Sequence, residues 1–307
     1  MAQQPRLIDD HIRKNKRDTL LICLFMVILL FSVIFAIGLV FGAPPYIMMF
    51  IGLPVALFYI LITYSFSVQS VISAARARPA NPQNREEKIL IYKVEEMAIA
   101  AGLPTPKVYV QDSKDINAFA TGHKPQDSII CATTGALQQL NTAEIEGVIG
   151  HEMSHIRNRD ILVMTVTVGV VGAIALLAEI AFRMLFWGAA TGRGGGGGGK
   201  KGQGNIIVIL IAIIFIILAP IFSRLTYFAI SRKREYLADA DGAYLTRNPE
   251  GLARALEKIK SNQPKDPKGS KTVAPLYIAN PFKRALKDSI WSTHPPIDER
   301  IRRLRSM

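Results

Sequence analysis

The chain has 307 residues, enough for one large domain or two modest ones, and half of them are hydrophobic although 20% are charged. Those fractions coexist only if the two classes are segregated, and residues 19–75 carry no Asp, Glu, Lys or Arg, which excludes a purely soluble chain. The net charge of +13 suggests nucleic acid, but no binding motif accompanies it, and Lys and Arg instead crowd the ends of apolar runs as cytoplasmic loops require.

Residues 1–18 are polar and basic (Arg6, Arg13, Lys14, Lys16, Arg17). The apolar run that follows is too long for a signal peptide and lacks a small-residue cleavage site, so it is read as a retained first span over about 19–41. Gly42-Ala43-Pro44-Pro45 breaks it, and a second span covers about 46–72. The turn between them has no Lys or Arg while both flanks are rich in them, which puts the N-terminus and residue 76 onward on the cytoplasmic side. Cys23 lies in the first run and Cys131 in a predicted strand; such a pair makes no disulfide framework and fits a reducing compartment.

Residues 76–160 have the composition of a soluble domain. Apolar spacing predicts a helix over 84–101, ended by Gly102. Strands are predicted at 107–111, 116–121 and 128–132, the last two joined by a turn in which His123 is a plain turn residue. A further helix starts at Asn141, an N-cap with Glu144 closing a capping box and Leu140 stapled against Ile145. It runs to about Arg159, and Glu144, Glu146, Arg157 and Arg159 make it an amphipathic helix rather than a span. Third and fourth spans are predicted at about 161–186 and 205–228. Glu179 and Arg183, near the end of the third, are read as an interfacial anchor. The polyglycine run within 191–204 is read as a flexible linker, since no strand precedes it and no Ser or Thr follows its lysines as a phosphate loop needs. In 231–307, helices are predicted over 231–246, 249–261 (capped by Asn248) and 296–304, with a polar, mobile loop over 262–275.

The chemistry sits in His151-Glu152-Met153-Ser154-His155. Histidines four apart lie on one helix face and can share a zinc ion. Glu152, about 100° round the helix, stands beside that metal, where a carboxylate can take a proton from water. The bland reading is a surface helix with two solvated histidines. A catalytic zinc needs a third protein ligand, and two spans after His155 return the chain to the same face. Glu235 and Asp239, four apart on a predicted helix, are the best candidates: one carboxylate to bind zinc, the other to accept a hydrogen bond from a ligand imidazole. Their bland reading is a solvated acidic face.

His151-Glu152-x-x-His155, followed after a membrane hairpin by Ser231-Arg232-x-x-Glu235-x-x-Ala238-Asp239, resembles the HtpX-type membrane zinc metalloproteases, relatives of the prenyl-protein CAAX endoproteases in the thermolysin-like group. Asn117-Ala118-Phe119-Ala120-Thr121-Gly122 and Thr293-His294-Pro295-Pro296 are also similar to segments of that family. The resemblance covers essentially the whole chain. It implies an α-helical membrane protein with four transmembrane helices and an α+β zincin-like (gluzincin) catalytic domain, built from two chain segments around a small, mainly antiparallel sheet. It implies one zinc per chain held by His151, His155 and Glu235, with Glu152 as general base and then acid and Asp239 behind the ligands. Asn117, Ala118 and Phe119 would form an edge strand that pairs with substrate backbone. His294 would stabilise the oxyanion, its alternative being a cap on the final helix; His11 has no such support.

The expected function is a multi-pass zinc endopeptidase of a bacterial inner membrane, with N-terminus, catalytic domain and C-terminus in the cytoplasm. Its substrates would be cytoplasmic segments of misfolded or damaged membrane proteins, a quality-control role in which other membrane proteases or chaperones are partners and nucleic acid is not. Two rivals stand beside it. A zinc protease for site-specific processing or one acting within the membrane is the first, the intramembrane form being disfavoured by the charges flanking the motif on both sides. A non-enzymatic adaptor with a structural zinc is disfavoured by the lack of a nearby cysteine.

Overall fold

A computed structural model describes residues 13–28, 30–31, 44–172, 218, 221, 232–262, 270–280 and 294–307. Helix α1 covers residues 13–28. Helix α2 (Pro45–Ala75) begins on Pro45, whose missing N–H costs nothing in the first turn, and ends on Arg76 in the left-handed conformation, with φ 55°. At 31 residues it is, among the described residues, the one helix long and apolar enough to cross a bilayer. Helix α6 (Asp160–Gly172) is apolar but shorter as described. The three helices share an apolar seam that includes Met26, Ala56, Ile60, Leu162 and Val166. Their outward residues are large and apolar as well: Leu20, Phe50, Phe58, Leu61 and Phe66 are each at least 60% exposed. A surface of that kind suits lipid rather than water. The predicted first and third spans are described only to residues 31 and 172. The fourth, with the glycine-rich linker, Glu179, Arg183 and His11, lies outside the described residues, save for positions 218 and 221.

The soluble half holds a four-stranded sheet in the order β1-β2-β4-β3, formed by β1 (Ala77–Pro79), β2 (Lys107–Gln111), β3 (Ala118–Thr121) and β4 (Ile129–Thr133). The sheet is mixed: β1–β2 and β3–β4 are antiparallel and β2–β4 is parallel. Every residue of β4 is buried, as a continuous apolar run in an interior strand requires. Helix α3 (Arg85–Ala101) opens on Asn84, whose side chain accepts from the amides of Glu86 and Glu87, and closes on left-handed Gly102. The strand predicted from residue 116 starts at Ala118, because Asn117 N–H is turned to the Thr133 hydroxyl. β1 and the short helix α4 (Thr134–Gln139) have no counterpart in the sequence reading. His123 is more than a turn residue: its ring stacks on Tyr64 with centroids 4.5 Å apart, and its Nε2 is 2.7 Å from Ser67 Oγ, tying the β3–β4 turn to α2.

Helix α5 (Thr142–Arg157) carries the predicted cap, with Asn141 and Glu144 exchanging both capping-box bonds. It is more deeply enclosed than its charges suggest. Gly147 to Ile156 are all buried, enclosed by α3, β3, α7 (Arg232–Thr246) and α8 (Pro249–Ser261). The misleading charges are neutralised by distant partners: Glu144 by Lys258 at 2.6 Å and Glu146 by Lys93 at 2.7 Å. Nor does α5 continue to Arg159, which is left-handed with φ 60°; α5 and α6 are separate helices. One core unites the two soluble stretches, with Leu90, Val94, Ile149 and Met153 against Leu252, Leu256 and Ile301. The loop predicted over 262–275 is corrected in its second part. Ser270 caps a 3-10 helix at Lys271–Leu276 that buries Val273 and Leu276 against Val71, Phe119 and Cys131. Helix α9 (Ile297–Arg305) closes the chain.

Candidate metal centre

α5 and α7 meet at two glycines. A Cβ on Gly150 would come within 2.8 Å of Thr246 Cγ2, and one on Gly242 within 2.8 Å of His151 N, closer than real Cβ atoms sit. Only bare backbone on both sides lets the helices approach so nearly. That approach brings Glu235 of α7 to the two histidines of α5.

His151 and His155 present rings with centroids 4.8 Å apart, nearly perpendicular at 86°. Glu235 Oε2 is 3.8 Å from His151 Nε2, and its Oε1 is 3.6 Å from His155 Nε2. One ligand atom from each of the three residues lies within 4.8 Å of the others. Bonds of ~2.0–2.2 Å to a tetrahedral zinc put ligand atoms ~3.3–3.6 Å apart, so a modest contraction closes the set. The opposite ring nitrogens are both backed by carboxylates. His151 Nδ1 is 3.0 Å from Asp239 Oδ1 and His155 Nδ1 is 3.0 Å from Asp160 Oδ2. With Nδ1–H donating to a carboxylate, each Nε2 keeps its lone pair for the space beside Glu235.

The electrostatics favour a cation. Burial works against the Glu235 carboxylate, yet His294, Arg300 and His155 hold it well below its ordinary range. Burial likewise opposes Asp239, but Arg300 and His151 bring it down to about 2. Burial lowers His151, and the positive charges of Arg300 and His155 add to that. His155 goes the other way: against burial, Asp160, Glu235 and Glu152 raise it to about 9. The largest part of that rise comes from Asp160, behind the ring, and the rest from Glu235 and Glu152 on the ligand side. Glu235 Oε2 is buried and accepts no well-aimed hydrogen bond, although His294 Nδ1 lies 3.1 Å away and Arg300 Nη1 3.4 Å. A buried carboxylate that turns one oxygen toward each of two imidazole Nε2 atoms fits a zinc ion.

Glu152 stands apart from the ligand set, with the backbone of Ala120 beside it. Burial raises its carboxyl to about 7, with His155 pulling it down and Glu235 pushing it up. His294 is 8% exposed; its Nδ1 lies 3.1 Å from Glu235 Oε2, and its Nε2 has no hydrogen-bond partner among the described residues, which leaves Nε2 to a group entering the site. Asn117 precedes β3 and Ala118 and Phe119 open it, and the backbone there is already paired. Ile278 N–H donates to Ala118 O at 2.9 Å, and the Asn117 side chain donates to Ala279 O at 2.7 Å and accepts from Ala279 N at 3.3 Å. Phe119 itself is buried against Tyr277, with rings 5.1 Å apart.

The sequence reading does not include Asp160 or Arg300. Arg300 is fully buried, donates to both Asp239 oxygens at 2.8 and 2.7 Å and reaches Ile278 O at 3.2 Å. A signal for it existed: it falls at a core position of α9, in line with Ile297, Ile301 and Leu304, where an arginine needs buried carboxylates. For Asp160 the signal was weaker, a lone acid between a helix end and an apolar run.

The sequence profile of peptidase family M48 matches residues 84–307. The chain is 45% identical over 255 residues to a protein named "Protease HtpX homolog" from Thermoanaerobacter pseudethanolicus, covering 82% of this chain and 83% of the relative. It is 43% identical over 294 residues to one of the same name from Caldanaerobacter subterraneus subsp. tengcongensis, covering 96% of each. For one from Listeria monocytogenes the identity is 41% over 305 residues, with 98% of this chain and 100% of the relative covered. Among solved structures, S. mikatae Ste24p aligns over 96% of this chain and 66% of that one, at 19% identity and a TM-score of 0.49.

Proposed function

The chain belongs to peptidase family M48 and is a metalloprotease, and on that premise we propose that it is a membrane-bound zinc endopeptidase whose metal is held by His151, His155 and Glu235. The observation that carries this reading is the buried Glu235 carboxylate with one oxygen 3.8 Å from His151 Nε2 and the other 3.6 Å from His155 Nε2, both imidazoles being oriented from behind by carboxylates. A zinc ion bound there supplies Lewis acidity, polarising the scissile carbonyl and acidifying water beside it.

The chain's own residues do the rest. Asp239 and Asp160 fix the ring orientations of His151 and His155. Glu152 takes the proton from the attacking water and returns it to the leaving amine; an acid raised to about 7 can do both near neutrality. His294, whose Nε2 is without a partner among the described residues while Nδ1 faces Glu235, donates from Nε2 to the oxygen that gains charge in the tetrahedral intermediate. Substrate backbone adds along β3 at Asn117, Ala118 and Phe119 in place of residues 278–279, whose bonds to Ala118 O and the Asn117 side chain it must displace.

The apolar exteriors of α1 and α2 and the basic flanks of the apolar runs support a multi-pass bacterial inner-membrane protein with a cytoplasmic active site. Segments of misfolded or damaged membrane proteins near that face would be its substrates, and other membrane proteases or chaperones its partners. An intramembrane protease is the weaker reading, since α5 is enclosed by α3, α7, α8 and the sheet, not by lipid-facing helices. The test is cleavage of an unfolded protein by the purified full-length chain, with and without chelator, beside Glu152→Gln. That variant is expected to keep its zinc and lose turnover; cleavage at the parent rate would rule out the assigned base.

A further inference from the structure

The N-terminal helix reaches the metal centre. Asn15 is 2% exposed although basic, exposed residues surround it in sequence. Its Nδ2 donates to Asn158 O at 2.9 Å and to Asp160 Oδ1 at 2.8 Å. Asn158 is the C-cap of α5, so its carbonyl is among those that a helix end leaves without an internal donor. Asp160 follows the left-handed residue Arg159 that separates α5 from α6, and its other oxygen faces His155 Nδ1 at 3.0 Å. Three positions on, and so on the same side of α1, Asp18 Oδ2 pairs with Arg234 Nη2 at 3.3 Å. Arg234 immediately precedes Glu235, and its Nε lies 3.7 Å from Asp160 Oδ1.

One turn of α1 thus touches the supports of two candidate ligands that come from different parts of the chain. We propose that Asn15 and Asp18 are positioning residues that lock the supports of His155 and Glu235 together, making the segment before the first apolar run a structural part of the metal centre. The inference rests on the zinc reading and deepens it. Asp160 sits at a break between helices, where the backbone alone does not dictate its rotamer. The Asn15 amide occupies Oδ1 and leaves Oδ2 aimed at the imidazole. Asp18 holds Arg234, and with it the first turn of α7, against the same carboxylate.

The test uses the full-length protein in detergent or nanodiscs and reads zinc affinity by chelator competition, together with the visible spectrum of the cobalt-substituted form. Asn15→Asp keeps the shape of the side chain, removes the amide donor and faces Asp160 with a like charge. It is expected to lower zinc affinity about tenfold, at the low end of the range for partners of ligating imidazoles, and to change the cobalt spectrum; Asn15→Ala should do the same. Lys16→Ala, an exposed neighbour, should do neither. Unchanged affinity and spectrum in the folded Asn15 variants would overturn the proposal, as would an equal loss in Lys16→Ala. Thermal melting of the metal-free forms reports the fold. If both Asn15 variants unfold, Asp18→Asn, which keeps the side-chain shape and removes the charge facing Arg234, decides: lowered affinity in the folded variant upholds the lock, and unchanged affinity overturns it. A parent protein that binds no zinc would instead refute the metal reading itself.

Discussion

Asp160 Oδ2 lies 3.0 Å from His155 Nδ1, on the side of the ring away from Glu235. The ring therefore has one nitrogen committed to a buried acid and the other facing the cluster. Replacing Asp160 with Asn lets the side chain present either an acceptor or a donor and frees the tautomer. Asp160→Asn should lose roughly 10–100-fold in zinc affinity, measured by chelator competition, while the α-helical circular dichroism stays that of the parent.

Gly242 sets the distance between α5 and α7. A methyl group there would press within 2.8 Å of His151 N and 3.0 Å of Gly150 C. Gly242→Ala should cost about 1–3 kcal/mol through overpacking and reduce zinc occupancy by moving Glu235 off the histidines. Gly172→Ala, with nothing near its Cβ among the described residues, is the control that should leave occupancy unchanged. The comparison needs only metal content and thermal melting.

Arg300 neutralises two acids in the interior. Removing its charge leaves Asp239 and Glu235 buried without that partner, a change that costs about 3–5 kcal/mol when a buried pair is broken. Arg300→Met should lower the Tm of the metal-free protein by several degrees, and the deficit should shrink when zinc is added, because a dication replaces part of the lost charge. A deficit indifferent to zinc would place Arg300 outside the electrostatics of the site.

Away from the site, Arg78 grips the buried Glu87 through two hydrogen bonds, at 3.0 and 2.8 Å, and Asn81 N–H adds a third at 2.6 Å. The Arg78 hydrogen bonds are the main reason that Glu87 titrates below its ordinary 4.5; burial opposes them, and the Asn81 amide assists. A carboxyl lowered on folding contributes stability that is complete above its unfolded pKa and fades as pH falls through the folded one. Glu87→Gln should thus be less stable than the parent by about 1–2 kcal/mol at neutral pH, a value discounted for the half-exposed arginine. The two proteins should converge in Tm as the pH drops below about 4.5.

Much of the ligand set was legible because each part of it is local. His151 and His155 are four apart, Glu235 and Asp239 are four apart, and Asn141 with Glu144 announces the start of the helix. The supports were not legible, because each joins residues far apart in the chain: Asn15 to Asp160, Asp18 to Arg234, Arg300 to Asp239. The same reason hid how deeply α5 is buried. Glu144 and Glu146 look like a solvated face until Lys258 and Lys93 are seen beside them. Residues 271–276 read as loop because Pro275 and the polar start hide Val273 and Leu276, which fill a gap next to Phe119 that only tertiary packing creates. β1, at three residues, is too short to leave a period.

The most direct test of the metal centre is zinc K-edge X-ray absorption on the purified full-length protein, recorded beside Glu235→Ala. The arrangement of His151, His155 and Glu235 predicts two imidazole nitrogens and carboxylate or water oxygens at about 2.0–2.2 Å, no sulfur, and loss of a ligand in the variant. A sulfur scatterer, or a first shell identical in parent and Glu235→Ala, would contradict it.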